Sequence, residues 1–126
     1  MNEDIKNALA LAEDTLDDAI YNAEDHRNRV AINRCYYAYF YLIRSLLLAR
    51  GVFTKTHSGL YSEFSKVFIK TAIIPKEFSD ALAFLFDQRQ TADYDLEENI
   101  DDVDIDKAIE MVKKFIEFIK ENHSKI

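Results

Sequence analysis

Apolar residues recur along the chain at spacings of three and four, the period of a helix with one buried face. The first such stripe is Ile5, Leu9, Ala12, Leu16, Ala19/Ile20 and Ala23, and it predicts a helix from about Asn2 to Glu24. Glu3, Asp4, Glu13, Asp14, Asp17 and Asp18 fall outside the stripe and should be solvated. Glu3 and Asp4 also suit the positive end of the helix dipole. A second helix is predicted from about Arg27 to Arg50, with Gly51 as its stop. It is apolar or aromatic on nearly every side, from Val30 and Ile32 through Cys35 to Ile43 and on to Leu46, Leu47 and Leu48. A helix of that kind is buried on more than one face. It should be the central helix of a bundle or lie at a dimer interface.

After a connection over Gly51 to Thr56, a third helix is predicted from Ser58 to Thr71, with Leu60, Phe64, Val67 and Phe68 inward. Pro75 should stand near the first turn of a fourth helix, where its missing N–H costs little. That helix carries Phe78, Leu82, Leu85 and Arg89 at steps of four, three and four, so Arg89 continues the apolar stripe. Asp93 is its partner one turn on. Tyr94 to Asp101 is acidic and without period, and reads as a loop. Asp101, Asp102 or Asp104 can cap a last helix whose stripe is Ile105, Ala108/Ile109, Val112, Phe115/Ile116 and Ile119. Short connections imply antiparallel neighbours. The expectation is a single all-α domain over residues 1–126, an antiparallel bundle of four to five helices.

Composition narrows this further. Of 126 residues, two are glycine and one is proline, too few for the frequent turns of an all-β domain. A hydrophobic share of 48% excludes a disordered chain. A single cysteine, Cys35, excludes an intrachain disulfide framework and a multi-cysteine zinc site; it reads as a small buried hydrophobe. Met1 to Lys6 lacks the basic and apolar regions of a signal peptide, and the longest apolar run, Cys35 to Ile43, is far short of the ~20 residues of a membrane span. A soluble cytoplasmic protein without membrane association is expected.

Charge is segregated. Residues 1–26 carry 1 basic and 8 acidic side chains, residues 27–91 carry 10 and 4, and residues 92–126 carry 5 and 11. The net charge of −7 argues against nonspecific coating of nucleic acid. The basic middle either pairs with its acidic flanks or leaves a local patch for phosphate.

His26, His57 and His123 lie far apart and none has a ligand partner at helical spacing, so no metal and no cofactor is expected. The unusual polar residues are Arg34, on one helix face with Tyr37 and Tyr41; Arg89, on an apolar stripe and followed by Asp93 and Tyr94; and His57, beside Lys55 and Ser58. An arginine on a buried face needs a carboxylate, an interface edge or an anionic ligand. The structural alternative pairs Arg89 with Asp93, and Arg34 with an acid such as Asp87.

Three ordered blocks carry a resemblance. They are Ala31-Ile32-Asn33-Arg34-Cys35-Tyr36-Tyr37-Ala38-Tyr39-Phe40, then Lys55-Thr56-His57-Ser58-Gly59, then Arg89-Gln90-Thr91-Ala92-Asp93-Tyr94. Together they resemble the small stand-alone prokaryotic branch of the HEPN superfamily, with its R-x-Y-Y-A and R-x-x-A-D-Y blocks. The resemblance implies a helical bundle, usually dimerised through its central helices and often encoded beside a minimal nucleotidyltransferase as a toxin–antitoxin pair. Many members are metal-independent endoribonucleases with an arginine and a histidine in an Arg-x4-6-His pattern. Here the arginine role transfers to Arg89 and the polar-partner role to Asp93 and Tyr94. No histidine follows Arg89 in that window. A free tyrosine titrates near ~10, so Tyr94 is a poor general base at neutral pH. His57 could take the histidine's part if the fold brings it near.

Two functional expectations follow. In the first, a toxin-like HEPN homodimer binds a nucleotide or RNA, with Arg34, Tyr37 and His57 as nucleotide-binding residues and Arg89, Asp93 and Tyr94 as catalytic ones: Arg34 and Arg89 hold a phosphate, Tyr37 or Tyr94 meets a base, and cleavage proceeds by attack of the ribose 2′-hydroxyl. In the second, a non-enzymatic homodimeric module binds a partner such as a nucleotidyltransferase, and Arg89 with Asp93 is structural.

Overall fold

The computed structural model describes residues 1–94 and 100–126. Among the described residues five α-helices follow one another: α1 (Glu3–Glu24), α2 (Asn28–Ala49), α3 (His57–Phe64), α4 (Lys76–Tyr94) and α5 (Asp102–Asn122). A single π-helical turn, Ser65–Ile69, extends α3. Among the described residues there is no strand, and no helix is long and apolar enough to cross a membrane. The fold is the all-α bundle that the periodicity predicts. Of the predicted loop from Tyr94 to Asp101, residues 95–99 lie outside the described residues. Tyr94 instead closes α4, and Ile100 and Asp101 lead into α5.

Short polar side chains start the helices. Asn2 accepts hydrogen bonds from the N–H groups of Asp4 (2.8 Å) and Ile5 (3.2 Å). Thr56 Oγ1 accepts from Gly59 N–H (2.9 Å), and Asp101, the first of the three candidate caps, accepts from Asp104 N–H (2.8 Å). Each satisfies a donor that the first helical turn leaves orphaned. The end of α2 is a left-handed stop. Gly51, at φ +74°, donates to the Leu48 carbonyl, and Val52 donates to that of Leu47, both at 2.9 Å. The end of α1 repeats this geometry with a histidine. His26, at φ +57°, donates to the Ala23 carbonyl and Arg27 to that of Asn22.

Helix α2 is the centre. It packs against α1, α3, α4 and α5, which is why it is apolar nearly all round. Its Tyr39 ring is fully buried and stacks on Phe115 of α5 at 4.4 Å between centroids. The Tyr39 hydroxyl donates to the Phe78 carbonyl of α4 at 2.7 Å, so the buried polar tip is satisfied. Phe78 and Phe64 also flank Phe115. The inward faces of α1, α4 and α5 are the predicted ones, with Ile5, Leu9, Leu16, Phe78, Leu82, Leu85, Val112, Phe115 and Ile119 all buried.

The predicted third helix, Ser58 to Thr71, is not one regular α-helix. Its α-helical part ends at Phe64, and the following turn is wound wider, with the Lys70 N–H donating to the Ser65 carbonyl at 2.8 Å. Phe64 and Phe68, on either side of the junction, are both fully buried. Ala72, at φ +59°, then reverses the chain toward Pro75 and α4.

Candidate functional site

The site grows from the side of α2 that faces α3 and α4. Tyr36, Tyr37 and Phe40 leave α2 on adjoining positions, and their rings form a continuous cluster with centroids 5.2–6.2 Å apart. His57, the first residue of α3, is set by the Thr56 cap directly above them. Its ring lies 5.1 Å from Phe40, 5.6 Å from Tyr36 and 6.3 Å from Tyr37. Phe86 of α4 closes the cluster at 6.0 Å from Tyr36.

Arg89 enters from α4, one turn beyond Phe86. Its guanidinium carbon stands 5.1 Å from the centre of the Tyr36 ring and 5.3 Å from that of Tyr37. The ring quadrupoles favour a cation there. Only 17% of the side chain is exposed, against 34% for Asp93. Asp93 Oδ2 approaches Arg89 Nε to 3.2 Å. The Nε–H nevertheless makes no aligned hydrogen bond and is itself buried. This contact is an attraction of charges more than a directed bond, and it leaves the buried Nε–H without a hydrogen-bond partner.

Arg34 adds a second guanidinium to the same ring system, 5.7 Å from the centre of Tyr37. It does not pair with Asp87. Its Nε and Nη2 donate to Asn33 Oδ1 at 3.2 and 2.8 Å, a neutral acceptor, and among the described residues no carboxylate pairs with it. Tyr37 therefore carries two cations.

The electrostatics follow from this packing. Burial, and then the charge of Arg89, lower the His57 pKa below its ordinary 6.5. At neutral pH the imidazole is therefore uncharged. Burial pushes the Tyr36 hydroxyl up to about 12, although the charge and hydrogen bonding of Arg89 pull the other way. Tyr36 is thus a neutral phenol. Its oxygen lies 2.5 Å from His57 Nδ1. Two tautomers satisfy this contact: the phenol donates to Nδ1 and Nε2 carries the ring hydrogen, or Nδ1–H donates to the phenol oxygen and the Nε2 lone pair is free.

Of the residues singled out in the sequence, the structure gathers Arg34, Tyr37, His57, Arg89 and Asp93. Tyr94 is not in the cluster. It is 79% exposed at the last position of α4. Five positions after Arg89, it points about 140° away around the helix. Tyr36 was not singled out, although it stands inside the R-x-Y-Y-A block. Its signal was the four-residue step to Phe40, which puts the two rings on one face. Cys35 points the other way, fully buried, and burial raises its thiol pKa to about 12. Among the described residues, no three His, Cys, Asp or Glu side chains group as a metal site.

The chain matches the family model described as HEPN domain over residues 5–122. It is 38% identical over 117 residues to the UPF0332 protein of Thermotoga maritima, covering 86% of this chain and 88% of that one. It is 35% identical over 94 residues to the protein named "Putative toxin MJ0142" of Methanocaldococcus jannaschii, covering 73% of this chain and 63% of that one. A second protein of that organism, "Putative toxin MJ0605", is 26% identical over 120 residues, 95% of this chain and 89% of that one. The family match runs from the first buried residue of α1 to the last residue of α5 and takes in every residue of the cluster: this chain belongs to the HEPN domain family.

Proposed function

We propose that this protein is the toxin-like member of a toxin–antitoxin pair and that it cleaves RNA at the Arg89–His57 cluster without a metal ion. One observation carries the reading: a guanidinium and a neutral imidazole rest against the same two tyrosine rings. In the reaction, His57 Nε2 takes the proton of a ribose 2′-hydroxyl while Nδ1–H donates to Tyr36. The 2′-oxygen bonds to phosphorus and the bond from phosphorus to the 5′-oxygen breaks. The leaving oxygen takes a proton from water, and His57 returns its own proton to water. The products are a 2′,3′-cyclic phosphate and a 5′-hydroxyl. Arg89 opposes the charge that builds on the pentavalent phosphorus, and Arg34 attracts the neighbouring phosphate. His57 thereby fills the part of the histidine missing after Arg89.

The toxin names of two relatives support the biological half of the reading. The partner would be a minimal nucleotidyltransferase acting as antitoxin. A second copy of this chain would lie along α2, bringing two clusters to one cleft.

The decisive experiment incubates purified protein with single-stranded RNA in excess EDTA. Cleavage with cyclic-phosphate ends is expected, and Arg89→Ala should abolish it. RNA left intact at high protein concentration removes the nuclease assignment. The 3.2 Å contact between Arg89 and Asp93 favours a second reading, in which the pair only stiffens α4 and the protein is a non-enzymatic binding module. On that reading Arg89→Ala lowers the melting temperature sharply and no RNA is cut by the parent protein.

A further inference from the structure

Beside the cluster, between α3 and α4, lies a pocket of about 200 Å³. Tyr36, Leu60 and Leu82, each exposed by 2% or less, form its floor. Phe86 and the exposed ring of Tyr61 line it further, together with His57 and Ser58. We propose that this pocket is a slot for one nucleobase, that of the nucleotide whose 2′-hydroxyl faces His57. The proposal rests on the ribonuclease reading for the identity of the ligand, but the slot makes its own physical claim.

Three features select a base. The volume equals that of roughly seven water molecules, enough for one ring system and below the roughly 300 Å³ at which larger ligands and cofactors are held. Aromatic side chains line it, and a flat π-system stacks on these whatever its sequence identity. Finally, Tyr36 is common to slot and cluster: its side chain lines the pocket, and its ring carries the Arg89 guanidinium. A phosphate on Arg89 and a base in the slot are then separated by one side chain, as the two ends of one nucleotide require. The lining is almost wholly apolar, so the edge of the base is read weakly. The slot should rank bases by stacking strength, purines ahead of pyrimidines.

The test uses 2-aminopurine riboside, a phosphate-free fluorescent purine, titrated into the full chain. The protein has no tryptophan to interfere. Saturable quenching is expected with the parent protein and with Tyr61→Phe. Tyr61→Ala should weaken binding about tenfold, the loss of one base–aromatic stack. Ser58→Phe, a substitution at an exposed position of α3, should fill the slot and abolish quenching. Arg89→Ala should leave quenching by the riboside in place while RNA cleavage is lost. Circular dichroism confirms that each variant is folded. Quenching that survives Ser58→Phe and Tyr61→Ala overturns the slot. So does an absence of quenching with the parent protein, the outcome expected if the pocket instead receives an apolar side chain of a protein partner. Riboside binding without RNA cleavage sinks the nuclease reading and keeps the slot; RNA cleavage without riboside binding does the reverse.

Discussion

The hydroxyl of Tyr36 lies 2.5 Å from Nδ1 of His57, and this contact ties the middle of α2 to the first residue of α3. The Thr56 cap, through the Gly59 N–H, fixes the backbone at the start of α3 from which His57 springs. The imidazole is thus oriented by Tyr36 before any ligand arrives, the arrangement that a positioned proton acceptor needs.

The lowered pKa of His57 sets a pH dependence. The neutral ring is the working base, so cleavage should be at its plateau at pH 7 and fall as the pH drops, with an acid limb centred below 6.5. Stability should move the same way. A group whose folded-state pKa lies below its unfolded value stabilises the fold above the unfolded value and loses that contribution as the pH falls through the folded one. Single-turnover cleavage from pH 4.5 to 8 checks the first statement; an acid limb above 6.5 contradicts it. Melting of the parent protein against His57→Gln over the same range checks the second.

Arg89→Ala should reduce RNA cleavage by about 100-fold or more, the usual cost of removing one donor to a developing charge. Melting should shift by only a few degrees, because Asp93, left alone, can turn to solvent. Arg89→Lys keeps the charge and loses the planar fork, so its activity should fall between the two. Equal activity for all three proteins would remove Arg89 from the site.

Cys35 should be chemically silent in the folded protein. It is fully buried, and burial raises its pKa to about 12, so almost no thiolate forms at neutral pH. Labelling with iodoacetamide at pH 8 should be negligible in buffer and complete in denaturant. Rapid labelling of native protein would mean that α2 opens locally.

Phe115 is the hub of the core, stacked on Tyr39 and flanked by Phe64 and Phe78. Phe115→Ala should cost about 3–5 kcal/mol in chemical denaturation. A loss below about 1 kcal/mol would show that the aromatic layer closes over the cavity.

The two left-handed helix ends predict opposite outcomes. Gly51→Ala meets no neighbouring atom within 4 Å, yet it forces a Cβ into φ +74° and should cost about 1 kcal/mol. His26→Gly relieves the same strain at φ +57° and should gain up to about 1 kcal/mol. Urea denaturation of the pair decides this, and a stabilising Gly51→Ala would contradict it.

What was legible in the sequence is what one helix determines alone. The period of three and four placed Ile5 to Ala19, Leu60 to Phe68 and Ile105 to Ile119 on buried faces, because residues on one helix face are neighbours whatever else the chain does. The same rule put Arg89 on the stripe of Phe78, Leu82 and Leu85, and Arg34 beside Tyr37. The three ordered blocks carried the family. Even the stop at Gly51 is local, since only the backbone of α2 is involved.

The remainder depends on how helices cross, which no local pattern encodes. Tyr36 and His57 are 21 positions apart, and only the packing of α3 on α2 makes them a pair. The seat of Arg89 on two tyrosines needs α4 to lie against that same face of α2. The π turn at Ser65–Ile69 could not be read from the apolar spacing, since Phe64 and Phe68 fit an ordinary helix equally well. Sequence by itself determined that this chain is a HEPN bundle with an arginine on a buried stripe. Tertiary structure alone decided that a histidine from another helix shares two tyrosine rings with that arginine, because such contacts are set by the competition of whole faces for burial and not by any single stretch of chain.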